Sequence, residues 1–179
     1  MFNEVLTFCA QNGMDTGFCA NNEAMYHPEL RHSCESNVCG AYGRNYTCPP
    51  LLGTVEECME RALAYPRLLV FRKVYPLEDS YDFYGMMEAK EDFGRLHREI
   101  NRLAKAEQAG CLVLGAGGCT LCERCGAADN SPCRFPEEAL ASLEGHCIQV
   151  SELAAMVGLK YIGGQNTVTY FGAVLYKEA

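Results

Sequence analysis

The stretch Leu68-Leu-Val-Phe-Arg-Lys-Val74 decides the fold class of this chain. It is short, apolar and β-branched, and Pro66 stands just before it, so it reads as a buried strand. Downstream, Phe83, Met87, Phe93, Leu96, Ile100 and Leu103 recur at helical spacing. That pattern predicts an amphipathic helix from Phe83 to about Gln108, weakened locally by Gly94. Cys111-Leu-Val-Leu114 reads as a second short strand and ends in Gly115-Ala-Gly-Gly118. Strand, long helix and strand make a βαβ unit, whose two strands are expected to be parallel. The class is therefore α/β: a mixed sheet containing a βαβ unit, with helices and two cysteine-rich metal-binding loops between its elements.

Working outward, Phe2, Val5, Leu6 and Cys9 lie on one face of a helix over residues 3–11, stopped by Asn12-Gly13. Residues 13–33 show no period. Thr54-Val-Glu-Glu57 is a capping box and starts a short helix. Pro136 suits the first turn of a helix running to about Glu144. Ser151 to Val157 reads as a helix stopped by Gly158. Thr167 to Tyr176 carries Val168, Tyr170, Gly172 and Val174 on one face and reads as a final strand. With no repeat and no linker, the 179 residues form one domain, with cysteine-rich segments at 31–53 and 115–137.

The chain is 49% hydrophobic and 21% charged, enough apolar material for a core, and its net charge is −8. No Lys/Arg block appears, which argues against nucleic acid and anionic membrane as partners. No stretch approaches the ~20 apolar residues of a membrane span. Met1-Phe-Asn-Glu-Val-Leu has neither the basic start nor the apolar run of a secretion signal, so a cytoplasmic location is expected. There are twelve cysteines. In a reducing compartment, clustered cysteines point to metal rather than to disulfides.

The clusters are two. Cys119, Cys122 and Cys125 are each two residues from the next, and Cys133 follows. Such a triple suits the separate irons of a [4Fe–4S] cubane. Zinc is the alternative, but structural zinc prefers two separated pairs. In two-cluster ferredoxins the distal cysteine serves the other cluster, so the partner of Cys133 stays open at this level. Gly115, Gly117 and Gly118 precede the triple. No helix follows them directly and no Lys-Ser/Thr occurs, so they do not read as a phosphate loop. They read as an amide nest facing cluster sulfurs, or as a plain tight turn. The other constellation is Arg31, Cys34, Cys39 and Cys48-Pro-Pro50, in irregular chain. It reads as a second metal site; the alternative is three buried small hydrophobes. Its fourth ligand is sought among Cys9, Cys19, Cys58, Cys111, Cys147 and an exogenous group. Cys9, Cys58 and Cys111 themselves fall on apolar faces or in a strand and read as core. Arg31, Arg44, Arg124 and Arg134 lie near these thiols, where their charge favours a more negative, reduced cluster. His27, His32 and His97 read as isolated and exposed. His146 and Cys147 are adjacent, and on a helix they would point about 100° apart rather than at each other.

Arg31-His-Ser-Cys34, Asn37-Val-Cys39-Gly40-Ala-Tyr42-Gly43, Cys48-Pro-Pro50 and Gly53 together resemble the first signature of the DUF2284 family of predicted metal-binding proteins. Gly115-Ala-Gly-Gly-Cys119, Cys122, Cys125, Cys133-Arg-Phe-Pro136-Glu137 and Ser142-Leu-Glu144 resemble its second. The resemblance runs from about residue 31 to residue 176 and implies a cytoplasmic iron–sulfur protein, mostly of anaerobes. This chain departs from the family pattern at Tyr46, where Trp is usual, at Cys147, where Gly is usual, and at Gln149, where Asp is usual.

The expectation is an iron–sulfur protein with one or two [4Fe–4S] clusters that exchanges electrons with a partner protein. An alternative is an enzyme whose three-cysteine cluster leaves one iron open as a Lewis acid for a small substrate. Another is a zinc-stabilised interaction domain.

Overall fold

The computed structural model describes residues 1–178. One sheet holds four strands, β1 (Asp15–Ala20), β2 (Arg67–Pro76), β3 (Leu112–Leu114) and β4 (Thr167–Tyr176), in the order β1-β2-β4-β3. The helices are α1 (Asn3–Gln11), α2 (Leu30–Glu35), α3 (Val55–Leu63), α4 (Phe83–Glu107) and α5 (Val150–Met156). Among the described residues no helix is long and apolar enough to cross a membrane.

Strand β2 is central, and both its faces are covered. Leu68 and Val70 pack with Leu143, Ile148 and Leu153, while Leu69 and Phe71 pack with Val5 of α1 and with Phe93, Leu96 and Ile100 of α4. That is why its sequence is a continuous apolar run rather than an alternation. Burying each such side chain stabilises the fold by about 1.5–3 kcal/mol. The capping box forms as expected: Thr54 Oγ1 accepts the Glu57 N–H, and the Glu57 carboxylate accepts the Thr54 N–H.

The α/β class is as the sequence indicates, but the pairing differs. β2 and β3 run the same way, as strand–helix–strand order requires, yet β4 lies between them. Leu69 and Val113 both face Val174, and every ladder is antiparallel. All ten residues of β4 find partners on β2, whereas β3 offers only three. A direct parallel pair would forgo that long antiparallel ladder. Strand β1, in the segment without a period, pairs along the edge of β2 and buries only Cys19, so it leaves no alternation to read. The helix expected from Pro136 to about Glu144 does not form. The Glu137 carbonyl accepts from Asn101 Nδ2 (2.9 Å), and Leu143 N–H donates to Gly115 O (2.9 Å). Those long-range bonds hold the segment across the end of β3, and only a short 3₁₀ turn, Glu144–His146, follows.

His97, expected to be exposed, is buried on the inner face of α4, with Phe71 and Phe93 ring centroids 5.8 and 5.9 Å away. It lies four residues after Phe93 and three before Ile100, on the same stripe. Burial lowers its pKa from 6.5 to about 4 against a hydrogen bond with the Leu114 backbone. Between those values the unfolded chain binds more protons than the folded one. Stability is therefore lost as pH falls through that window, by about 2 kcal/mol from His97 at about pH 5 relative to neutrality. Denaturant unfolding at the two pH values should show this fall in the parent protein and a shallower one in His97→Leu. His146, held near 4 by the same cause, supplies the remainder.

Candidate metal centre

The second cysteine-rich loop folds back on itself because of Gly126. A Cβ there would lie 2.6 Å from Ser131 O, and Ser131 N–H donates to Gly126 O (2.9 Å). This reversal brings Cys133 to the triple, so that Cys119, Cys122, Cys125 and Cys133 line one cavity of about 20 Å³ with Asn45 and Arg134. Cys133 thus lies on the same cavity as the Cys119 triple. Arg134 Nη1 donates to Arg124 O (2.9 Å), and Arg124 pairs with Asp129 (2.9 Å), which ties the loop internally.

The first loop starts from α2, which presents Arg31 and Cys34 three residues apart on one face, toward the Glu144–His146 turn. The chain then reverses through Asn37, Gly40 and Gly43, all at positive φ (54°, 73° and 71°). Asn37 Oδ1 accepts the Tyr42 N–H (3.1 Å). Cys39, Cys48 and the carboxylate of Glu144 all act electrostatically on the Cys34 thiol.

The two loops interlock. Cys119 N–H donates to Thr47 Oγ1 (3.1 Å), and the Tyr46 hydroxyl donates to Ser131 O (2.7 Å). A Cβ at Gly118 would lie 3.0 Å from Cys48 Sγ, and Cys125 is among the groups that act on Cys48. The thiol groups, read as separate in sequence, are neighbours. Asn45 and Thr47, which join them, and Gly126, which folds the second loop, drew no attention in the sequence; the only signal was their place among the cysteines.

The glycine run divides its work. Gly118 meets the Cys48 thiol, and Gly117 turns the chain at φ 72°. Gly115 does not face the thiols: its N–H donates to Ala141 O (2.9 Å), and its missing side chain makes room for the His97 ring.

Of the four arginines, only Arg31 is buried, at 7% exposure. Its Nη1 donates to Gly53 O (2.8 Å) and its Nη2 to Gly145 O (3.3 Å) and Cys58 Sγ (3.5 Å). Cys147 is fully buried beside it, in a left-handed conformation (φ 62°). His146 turns elsewhere, with Nε2 toward Arg61 (3.3 Å). Cys9, Cys58 and Cys111 are buried, as expected of core thiols.

Burial pushes the Cys34, Cys48 and Cys119 thiols up. It is opposed by Arg31 at Cys34, by the Thr47 and Asn45 side chains at Cys48, and by the Leu121 N–H at Cys119. A metal bound by these thiols would have to displace their protons, so its affinity would rise with pH. All twelve cysteines are unbonded, and Cys39 is the exposed one. Native alkylation of metal-free protein should modify Cys39 first and the half-buried loop thiols next. Cys9, pushed up to about 12 by burial, should stay unmodified. Mass mapping before and after metal loading checks this, with protection expected at the loop thiols alone.

Among the described residues, no three Cys, His, Asp or Glu side chains close on one point as ligands of a single ion do. The donor set around the small cavity is nonetheless four thiols from one loop, the set that iron–sulfur clusters and structural zinc both take.

No curated protein and no solved structure matches the chain. A family model described as predicted metal-binding protein (DUF2284) matches residues 17–176, which run from within β1 through both cysteine-rich loops to the end of β4. The chain therefore belongs to the DUF2284 family of predicted metal-binding proteins.

Proposed function

We propose that this protein holds a [4Fe–4S] cluster on Cys119, Cys122, Cys125 and Cys133 and a second on Cys34, Cys39 and Cys48, and that it passes electrons to a partner protein. The observation that carries this reading is the lining of one cavity by all four thiols of the second loop. Their two-residue spacing spreads three thiolates over separate irons, which a tetrahedral zinc site does not need. The backbone of this loop lies outside the sheet and the α-helices of the described residues. Adjacent thiol groups, joined through Gly118 and Cys48, suit a short electron path between two clusters. The net charge of −8 favours a basic partner.

A second reading has its own support at the first loop. That loop supplies three cysteines, and the solvent-exposed Glu144 acts on Cys34. One iron there is then open to an exchangeable ligand and acts as a Lewis acid.

Iron and acid-labile sulfide, measured on protein purified without oxygen, test the proposal. About eight irons and eight sulfides per chain are expected, with reversible one-electron signals in electron paramagnetic resonance. Stoichiometric zinc with no sulfide would overturn it in favour of a zinc-stabilised domain. An added anion that alters the signal of one cluster alone would favour the open-iron reading.

A further inference from the structure

Four large apolar side chains stand in the open at the start of α4. Tyr81 is 91% exposed, Phe83 65%, Tyr84 79% and Met87 53%. Phe83 and Met87 belong by spacing to the apolar stripe of the helix, yet neither joins the core that Phe93, Leu96 and Ile100 form further along. A fixed frame presents them. Asp82 Oδ1 accepts the Gly85 N–H (2.8 Å), its Oδ2 accepts the Glu78 N–H (3.1 Å), and Leu77 N–H donates to Asn166 O (2.8 Å). The Phe83 and Tyr84 rings meet edge to face, with centroids 6.1 Å apart. Exposed aromatic and methionine side chains grouped in this way mark a contact surface for another protein.

The charge around them is one-sided. A groove of about 560 Å³ runs beside them, lined by Tyr75, Leu77, Glu78, Asp82, Glu88 and Asp92 and by no cation. Asp92 is taken by Lys73 (3.1 Å) and Arg95 (2.7 Å), and Asp82 by the helix cap. Glu78 and Glu88 are exposed and, among the described residues, form no ion pair. Residues 78–91 carry five acids and one base, Lys90, and so hold half of the net charge of −8. Arg95 and Arg98, further along α4, bound the acidic stretch. Lys90 follows Met87 by three residues on the same side of the helix. Its Cε lies 3.9 Å from where a Cβ of Gly117 would stand, and Gly117 is two residues before Cys119. The exposed stripe therefore leads to the turn that enters the second thiol loop.

We propose that this end of α4 is the docking face for a protein whose contact surface is an apolar patch ringed by lysine or arginine. The apolar patch covers Phe83, Tyr84 and Met87, and a basic side chain enters the groove to Glu78 and Glu88, where charge-assisted hydrogen bonds hold it. Charge complementarity selects this occupant: a second copy of the chain would set the same acids against each other. The proposal rests on the electron-transfer reading, for which it names the face that the partner meets.

The test is calorimetry on full-length, anaerobically purified protein with ferricytochrome c, a basic protein whose apolar haem edge is ringed by lysines. The same cytochrome with its lysines acetylated serves as the second probe. The unmodified probe is expected to bind, more weakly as salt rises, and the acetylated one at least tenfold less tightly. Phe83→Ser/Met87→Gln and Glu78→Gln/Glu88→Gln should each weaken binding at least tenfold. These side chains are exposed, so both variants should melt like the parent. Glu23→Gln/Glu60→Gln removes the same charge on the other side of the sheet and should change binding less than twofold. No binding by the parent, or binding that survives both variants of the face, would overturn the proposal. So would dimers of the protein alone that Phe83→Ser/Met87→Gln dissolves in sedimentation, since a second copy would then be the occupant. Electron transfer is read separately, as one electron leaving a reduced cluster and converting the haem iron from the ferric to the ferrous state. Binding through the face without haem reduction keeps the docking face and removes the electron-transfer reading. Haem reduction at a rate indifferent to both variants of the face does the reverse.

Discussion

Cys122→Ala is expected to remove one whole cluster, taking iron from about eight to about four per chain, with sulfide falling in step. The thiol lines the four-cysteine cavity and touches neither core cluster, so its loss empties the site without loosening the sheet. Cys39→Ala, in the exposed part of the first loop, should remove the other four irons. Cys111→Ala serves as the contrast. Cys111 is a buried core thiol at 8% exposure, and its truncation should lower stability by about 1 kcal/mol while iron stays unchanged. Iron and sulfide assays beside denaturant unfolding read all three. If Cys122→Ala keeps its full iron, the assignment of that loop fails. If either loop variant loses all eight irons, the contact of Gly118 with Cys48 makes the sites assemble together.

Gly115→Ala is expected to be the most damaging single methyl in the protein. The new Cβ would lie 2.0 Å from His97 Cε1 and 2.4 Å from Nδ1. The ring cannot step aside, because Phe71 and Phe93 hold it and it is only 7% exposed. Overpacking of this kind costs on the order of 1–3 kcal/mol, and the Gly115 bonds to Ala141 and Leu143 are strained with it. His97→Ala alone leaves a cavity and also destabilises. The double variant should recover most of the loss from Gly115→Ala, because each change makes room for the other, and the cycle should show strong coupling. If Gly115→Ala leaves stability intact and moves only the potential of a bound cluster, Gly115 belongs to the nest and not to the core.

These two positions show how unevenly the chain can be read. The grouping of the cysteine triple was legible because spacing is a local property: three thiols two residues apart are held close by the chain itself. The long helix α4, the capping box at Thr54 and the buried strand β2 were legible for the same reason, since periodicity and caps act over a few residues. Gly115 was misread with Gly117 and Gly118 because the ring that requires it lies eighteen positions away, on another element. His97 was placed outside because it stood as an isolated histidine, and only packing against Phe71 and Phe93 shows that the neutral ring is tolerated.

From the linear chain alone came the α/β class, the two thiol-bearing loops and the family to which they belong. Tertiary packing settled the insertion of β4 between β2 and β3, the return of Cys133 to the triple, and the meeting of the two loops at Cys48 and Gly118. The reason is physical. Spacing along a backbone fixes which groups can act together within a turn or a loop. Which distant segments share a surface depends on competition among ladders and apolar faces, and that competition is decided only when the whole chain has folded.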